Sequence, residues 1–316
     1  MSKTLFAVLA SMSVALGAGI TTEAVAGQAK KKMSAKPAMK VAANKPKPMA
    51  RTVSFEDSAT NARLVQSSAA LVQDPVTGSV LFEKNASMVV PIASITKLMT
   101  AMVVLDTVPA LNEVLTVTEE DVDTLKGTRS RLVVGTRLTR EEMLHLALMS
   151  SENRAASALS RHYPGGREAF IAAMNQKARD LGLDDTQFAD PTGLTAANVS
   201  SARDLAKMVT AAYNYPLIRE FSTSAERQVM VGKRMQSFHN TNSLVKSPSW
   251  EIGLQKTGYI SEAGKCLVMH TWLNNKPTVI VLLDSWGKMT RIGDANRIKR
   301  WVESASVGGR TTGRSA

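Results

Sequence analysis

Cysteine is almost missing from this sequence: Cys266 stands alone among 316 residues, so no disulfide can close within the chain. Set in the strand-like run Lys265-Cys-Leu-Val-Met, with no histidine beside it, Cys266 reads as a small buried hydrophobe rather than a nucleophile. Histidine is scarce too. His145, His162, His239 and His270 show no His-Glu-x-x-His spacing, so neither a metal site nor a cofactor is expected. Acidic residues are absent from Gly27 to Arg51, where Lys30, Lys31, Lys32, Lys36, Lys40, Lys45, Lys47 and Arg51 are spaced by Ala, Pro and Met without a periodic apolar face. Such a stretch cannot bury enough surface to offset the entropy of ordering, which predicts a disordered basic arm over 27–59. No groove-reading motif accompanies the basic run, and no nucleic-acid partner is expected.

Long apolar runs are lacking as well. Lys3 followed by an apolar stretch from Leu5 to about Ala18, then Ala24-Val-Ala26, reads as a secretory signal peptide over 1–26, with an uncleaved anchor as the alternative; the run is short for a membrane span. Export to the periplasm is expected. The formal charge of +12 is concentrated in the arm. Removing 1–26 takes away one lysine and one glutamate, and the arm's eight cations then leave roughly +4 for the rest of the chain. The arm reads as a solvated tether, or as a loose electrostatic contact with an anionic envelope through Lys30–Lys47.

What is present begins with Pro91-Ile-Ala-Ser94-Ile-Thr-Lys97-Leu-Met-Thr-Ala-Met-Val-Val-Leu105. Proline costs little just ahead of a first turn, and nothing breaks the run again until Pro109, so a helix is predicted. Its apolar residues lie all around the circumference, which predicts burial on most sides. Lys97, three positions after Ser94, shares a helix face with it and can reach its hydroxyl. A lysine whose pKa is depressed by desolvation or by a nearby cation could take the serine proton. The spacing alone is cheap: Ser243 to Lys246 and Ser285 to Lys288 repeat it. Ser151-Glu-Asn153, after the apolar run Met143 to Met149, and Lys256-Thr-Gly258, inside the strand-like Gly253 to Tyr259, each occur once.

In that order the three patterns match the active-site set of the penicillin-recognising serine enzymes. The sequence resembles the low-molecular-mass penicillin-binding proteins, the serine D-alanyl-D-alanine peptidases, and looks most like their endopeptidase branch, that of penicillin-binding protein 7. The flanks Leu71 to Gly78, Pro91 to Ser94, Phe188-Ala-Asp-Pro-Thr-Gly-Leu194 and His239-Asn-Thr-Asn242 carry the resemblance from about Ser68 to Trp301. It implies an α+β, β-lactamase/transpeptidase-like fold: an antiparallel five-stranded sheet flanked by helices, plus a mostly helical lobe. Strands near 68–73, 78–83, 254–259, 265–272 and 278–284 and a last helix near 291–303 place the first and last elements of a 60–303 domain in one sheet. The helical lobe, about 105–235, is inserted between them, and a disordered tail follows over 304–316.

The resemblance also implies roles. Ser94 would be the nucleophile, Lys97 its base and Ser151 a proton relay. Asn153 would hold the substrate backbone, and Lys256 with Thr257 its carboxylate. Lys256 would add potential that favours a neutral Lys97. The amides of Ser94 and Tyr259 would form an oxyanion hole, with Gly258 letting the strand approach the substrate. Peptidoglycan peptides and β-lactam antibiotics are the partners it implies. Endopeptidic cleavage of D-Ala to meso-diaminopimelate cross-links is expected, D-Ala-D-Ala carboxypeptidase action being the alternative; the chain ends soon after Trp301 without the extra C-terminal segment of the major carboxypeptidases. A β-lactamase is disfavoured because no Glu-x-x-x-Asn follows Ser151, and an inert peptidoglycan-binding homologue because all motif residues are intact. Glu119-Glu-Asp121 and Asp184-Asp185 read as exposed loop charges.

Overall fold

Alternation along the strands explains the architecture. The computed structural model describes residues 65–287 and 289–308, so the expected signal peptide (1–26), the expected basic arm (27–59) and residues 309–316 lie outside the described residues. Strand β1 (Ala69–Gln73) turns back into β2 (Val80–Lys84) where the Asp74 carboxylate accepts from the Val76 and Thr77 amides at 2.8 and 3.1 Å. After a two-residue strand β3 (Val90–Pro91) comes a 3-10 turn, Ala93–Thr96, and then helix α1 (Lys97–Asp106). Every residue of α1 from Lys97 to Val104 is buried, as its all-round apolar pattern predicts. Leu98, Met99 and Met102 have no exposed surface, and each such burial contributes about 1.5–3 kcal/mol.

A short ladder, β4 (Val114–Thr116) with β5 (Arg137–Thr139), leads into α2 (Arg140–Met149), whose start Thr139 and Glu142 close as a reciprocal capping box. Then follow α3 (Asn153–Arg161), α4 (Gly166–Asp180), a two-residue strand β6 (Val199–Ser200) paired with β3, α5 (Ala202–Tyr213) and α6 (Pro216–Thr223). A hairpin, β7 (Glu226–Val231) with β8 (Arg234–His239), ends the inserted segment. The chain returns as β9 (Glu251–Ile260), β10 (Gly264–Leu273) and β11 (Lys276–Ser285) and finishes in α7 (Thr290–Gly308). Two findings differ from the sequence expectation. The 105–235 segment holds two β ladders as well as helices, and the last helix runs to Gly308, so 304–308 is helix rather than tail.

The sheet has the order β2-β1-β11-β10-β9, antiparallel throughout, which gives the α+β class with five strands. Side chains point alternately to its two faces. Leu71, Val268, Val279, Val281 and Leu283 join the core shared with the helices, while Val72, Leu267, Met269, Ile280 and Leu282 face Ala295 and Ile298 of α7. Asp294 of α7, fully buried, accepts from the Ser67 amide and hydroxyl at 2.7 and 2.6 Å and ties the last helix to the start of the sheet. β9 is left at the edge, facing the 3-10 turn of Ser94.

Candidate active site

Ser94 sits in the 3-10 turn, held from behind by an unusual backbone: Ala93 has φ +48°, in the left-handed region that side chains with a Cβ seldom adopt. Lys97 opens α1 one turn later. Its Nζ lies 2.8 Å from Ser94 Oγ, 2.7 Å from Asn153 Oδ1 and 2.6 Å from the Thr192 carbonyl. The last two atoms can only accept, so a neutral amine gives them both its N–H groups and turns its lone pair to the serine hydroxyl. Burial pushes the Lys97 pKa down to about 7, with Asp190 and Glu152 pulling it back up. Desolvation of Lys97, one of the two causes the sequence allows, is the largest.

Ser151 follows the end of α2 with φ +62°, and Asn153 opens α3. The Ser151 hydroxyl accepts from Lys256 Nζ at 2.9 Å, and Lys256 also donates to the Thr257 carbonyl at 3.0 Å. Lys256 is fully buried. Burial, then the charges of Lys97 and Arg291, hold its pKa well below the usual lysine range. Asn153 spans the cleft wall, donating from Nδ2 to Thr128 Oγ1 at 3.1 Å. Glu152 points away from the nucleophile, accepting from Ser130 Oγ at 2.6 Å and facing Arg131 at 3.5 Å. On β9, Thr257 Oγ1 meets Thr241 Oγ1 at 2.6 Å, and the Tyr259 side chain is exposed. A Cβ on Gly258 would lie 2.8 Å from the Ile92 carbonyl and 3.2 Å from the Ser94 amide. The glycine thus admits the turn that carries Ser94; the close approach is to the protein's own backbone, where sequence reasoning placed the substrate.

The eight residues picked from sequence therefore come together where the edge strand β9 faces the turn of Ser94 and the starts of α1 and α3. Other residues were missed. Asn198, fully buried, accepts from the Ala189 and Asp190 amides at 2.7 and 3.1 Å and donates to Thr96 Oγ1 at 3.0 Å, which in turn donates to the Ala93 carbonyl at 2.8 Å. It joins the loop that offers the Thr192 carbonyl to Lys97 with the turn that carries Ser94. Asp190 shapes that loop by accepting from the Thr192 and Gly193 amides, both at 2.5 Å. Gly193 has φ +82°, and a Cβ there would fall 2.0 Å from the Ala93 carbonyl oxygen. Arg291, at the start of α7, donates to the Gly258 and Cys266 carbonyls at 2.9 and 3.2 Å. Only the run Phe188 to Leu194 gave a sequence signal for any of these.

The discarded candidates have structural places. Cys266 is buried, which raises its pKa to about 11. Ser285 bonds Ser67 at 2.6 Å, and Ser243 opens a 3-10 turn. Asp121 departs from the expectation of an exposed charge: it is buried, accepting from Ser157 Oγ at 2.8 Å and pairing with Arg161 at 2.9 Å. Among the described residues no group of His, Cys, Asp and Glu is placed to hold a metal, and no helix is long and apolar enough to cross a membrane.

The chain is similar to known proteins. The chain is 49% identical to a D-alanyl-D-alanine endopeptidase of Pseudomonas aeruginosa over 243 residues, 76% of this chain and 78% of that protein. It is 47% identical to a D-alanyl-D-alanine endopeptidase of Escherichia coli over 245 residues, 77% and 79% of the two chains. The crystal structure of the Streptomyces K15 DD-transpeptidase superposes with a TM-score of 0.70 at 28% identity, covering 76% of this chain and 98% of that one. Residues 55–287 match the profile of the D-alanyl-D-alanine carboxypeptidases, and the chain belongs to that family, peptidase family S11.

Proposed function

We propose that the protein is a periplasmic serine DD-peptidase that cleaves D-Ala-D-X bonds of peptidoglycan, above all D-Ala to meso-diaminopimelate cross-links. The observation that carries this is the Lys97 amine, stripped of water, with both N–H groups engaged and 2.8 Å from Ser94 Oγ. Ser94 Oγ attacks the D-Ala carbonyl carbon and its proton passes to Lys97. The oxyanion forms between the Ser94 and Tyr259 amides, where each donor contributes about 3 kcal/mol in serine hydrolases. As the C–N bond breaks, Ser151, hydrogen-bonded to Lys256, relays the proton held by Lys97 to the leaving amine, which leaves Ser151 a hydroxyl and Lys97 neutral for the attack of water. Water then hydrolyses the Ser94 ester and restores the hydroxyl. Asn153 holds the substrate backbone, and Lys256 with Thr257 reads the carboxylate of the leaving D-centre.

A cross-link's leaving amine belongs to a D-centre bearing a free carboxylate, so chemically it is a D-Ala-D-X bond that the same Lys256 and Thr257 can read. The two endopeptidase relatives at 49% and 47% identity favour this reading over trimming of terminal D-alanine, since a carboxypeptidase of Bacillus subtilis stands at 32%. The N-terminal signal-like segment supports export. Penicillins, which present a reactive amide beside a carboxylate, would acylate Ser94. A fluorescent penicillin should label the protein stoichiometrically, with labelling abolished in Ser94→Ala. Labelling unchanged in that variant removes the nucleophile assignment; label lost within seconds points to a β-lactamase. Cross-linked muropeptide dimers and pentapeptide monomers, digested in parallel and resolved by chromatography, separate the two peptidase readings: rapid release of D-alanine with dimers intact makes the enzyme a carboxypeptidase.

A further inference from the structure

We propose that Arg291 is a positioning residue of the oxyanion hole, its guanidinium polarising the peptide unit that supplies the Tyr259 N–H. The inference rests on the reading in which the Ser94 and Tyr259 amides hold the oxyanion. A carbonyl and the following N–H belong to one rigid peptide group and point in opposite directions. β9 is the edge of the sheet, with β10 on one side and the turn of Ser94 on the other. The Gly258 carbonyl accepts from Arg291 Nη1 at 2.9 Å on the inner side. The N–H of the same peptide, that of Tyr259, is therefore directed outward, and Gly258 itself packs within 3.2 Å of the Ser94 amide when a Cβ is built on it.

The Cys266 carbonyl, opposite Gly258 in the ladder, takes a second bond from the same Nη1 at 3.2 Å, so the cation straddles both strands behind the cleft. Arg291 comes from α7, an element that otherwise contributes nothing to the site. A charged donor on a carbonyl oxygen draws electron density from its amide and makes the N–H a better donor, the cooperative effect seen in hydrogen-bond chains. The gain falls where charge develops in the transition state, so it speeds acylation more than it tightens ground-state binding. Arg291 is half-buried, so the bond is screened less than a fully solvated one.

The test compares the full-length protein with Arg291→Leu, Arg291→Gln and Arg291→Lys, using three readouts: thermal unfolding, the second-order acylation rate by a fluorescent penicillin, and the affinity of a carboxylate-free arylboronic acid, whose tetrahedral adduct on Ser94 places an oxygen in the oxyanion hole. Arg291→Leu should slow acylation roughly tenfold, part of the 10²–10³ lost with a whole oxyanion donor, and weaken the boronic acid in parallel. Arg291→Lys should recover most of both, and Arg291→Gln, a neutral donor, should fall between; this pair carries the comparison if the leucine variant does not fold. Boronic acid affinity unchanged in every variant, with acylation lost only for penicillins that keep their carboxylate, overturns the proposal and makes Arg291 a substrate-carboxylate ligand. Failure of the parent protein to label at Ser94 refutes the peptidase reading instead.

Discussion

An exposed lysine releases its proton at about pH 10.4, too high for a base at neutral pH, whereas Lys97, with no exposed surface, titrates at about 7. Two consequences follow from that one shift. Acylation by penicillin should rise with pH through about 7 and level off, because only the neutral amine accepts the Ser94 proton. Lys97→Arg, which cannot give up its proton, should be as inert as Lys97→Ala, in stopped-flow measurements across pH 5 to 9. For stability the sign runs the same way. The folded pKa lies below the unfolded one, so burying the charged Lys97 amine costs stability in full below pH 7; above it the amine is neutral in the folded state and the cost fades as pH climbs toward the unfolded pKa. Lys256, shifted in the same direction by burial, adds to the trend. The melting temperature should therefore rise between pH 7 and 9 by more in the parent than in Lys97→Met. An acid limb centred far below pH 7 would mean that some other group takes the proton. Sequence named both lysines through their motifs and offered desolvation or a nearby cation as the cause of the Lys97 shift, but could not choose between them, because burial depends on elements brought in from distant parts of the chain, such as the Thr192 loop.

At the scale of elements, the legible pieces are those whose packing repeats a simple period. Helix α1 is buried all round and the strands β1, β10 and β11 are apolar on both faces, so their runs stand out in the sequence. The β7/β8 hairpin is not legible: in six residues β7 buries only Val229 and β8 only Phe238, and the two strands turn at Gly232 with φ +61°. Helix α6 has eight residues beginning at Pro216 and reads equally well as a loop. Nor can sequence show that two glycines, far apart in the chain, press on one turn. Gly258→Ala would place a Cβ 2.8 Å from the Ile92 carbonyl, and the displaced Ser94 turn should slow penicillin acylation roughly ten- to hundredfold in a protein that still folds. Gly193→Ala adds strain from its φ of +82° to a clash with the Ala93 carbonyl, and should cost about 1–3 kcal/mol from the backbone alone, read by urea unfolding. Parent-like acylation in Gly258→Ala would show that the turn has slack to absorb a methyl group.

For the whole molecule, the prediction that first and last elements share a sheet holds because β11 is the strand that pairs β1, register Leu71 to Val281, and so closes the segment between them into a cleft-bearing body. Every site residue named above lies between Ile92 and Arg291, and the family match begins at residue 55. Removing residues before Thr52 therefore removes none of the site residues named above. A chain starting at Thr52 should label with fluorescent penicillin within about twofold of the full-length rate, since salt at physiological strength screens exposed charges beyond about 8 Å and none of the site residues named above precedes Ile92. What should change is attachment. The eight cations between Lys30 and Arg51 carry most of the formal charge of +12, and an anionic peptidoglycan or lipid surface would hold them only electrostatically. Co-sedimentation with purified sacculi should be strong for the longer chain at low salt, weak for it at 0.5 M salt, and weak for the truncated chain at both. Retention of the truncated chain equal to that of the longer one would place attachment in the folded body, and a collapse of its labelling rate would make the arm part of the enzyme.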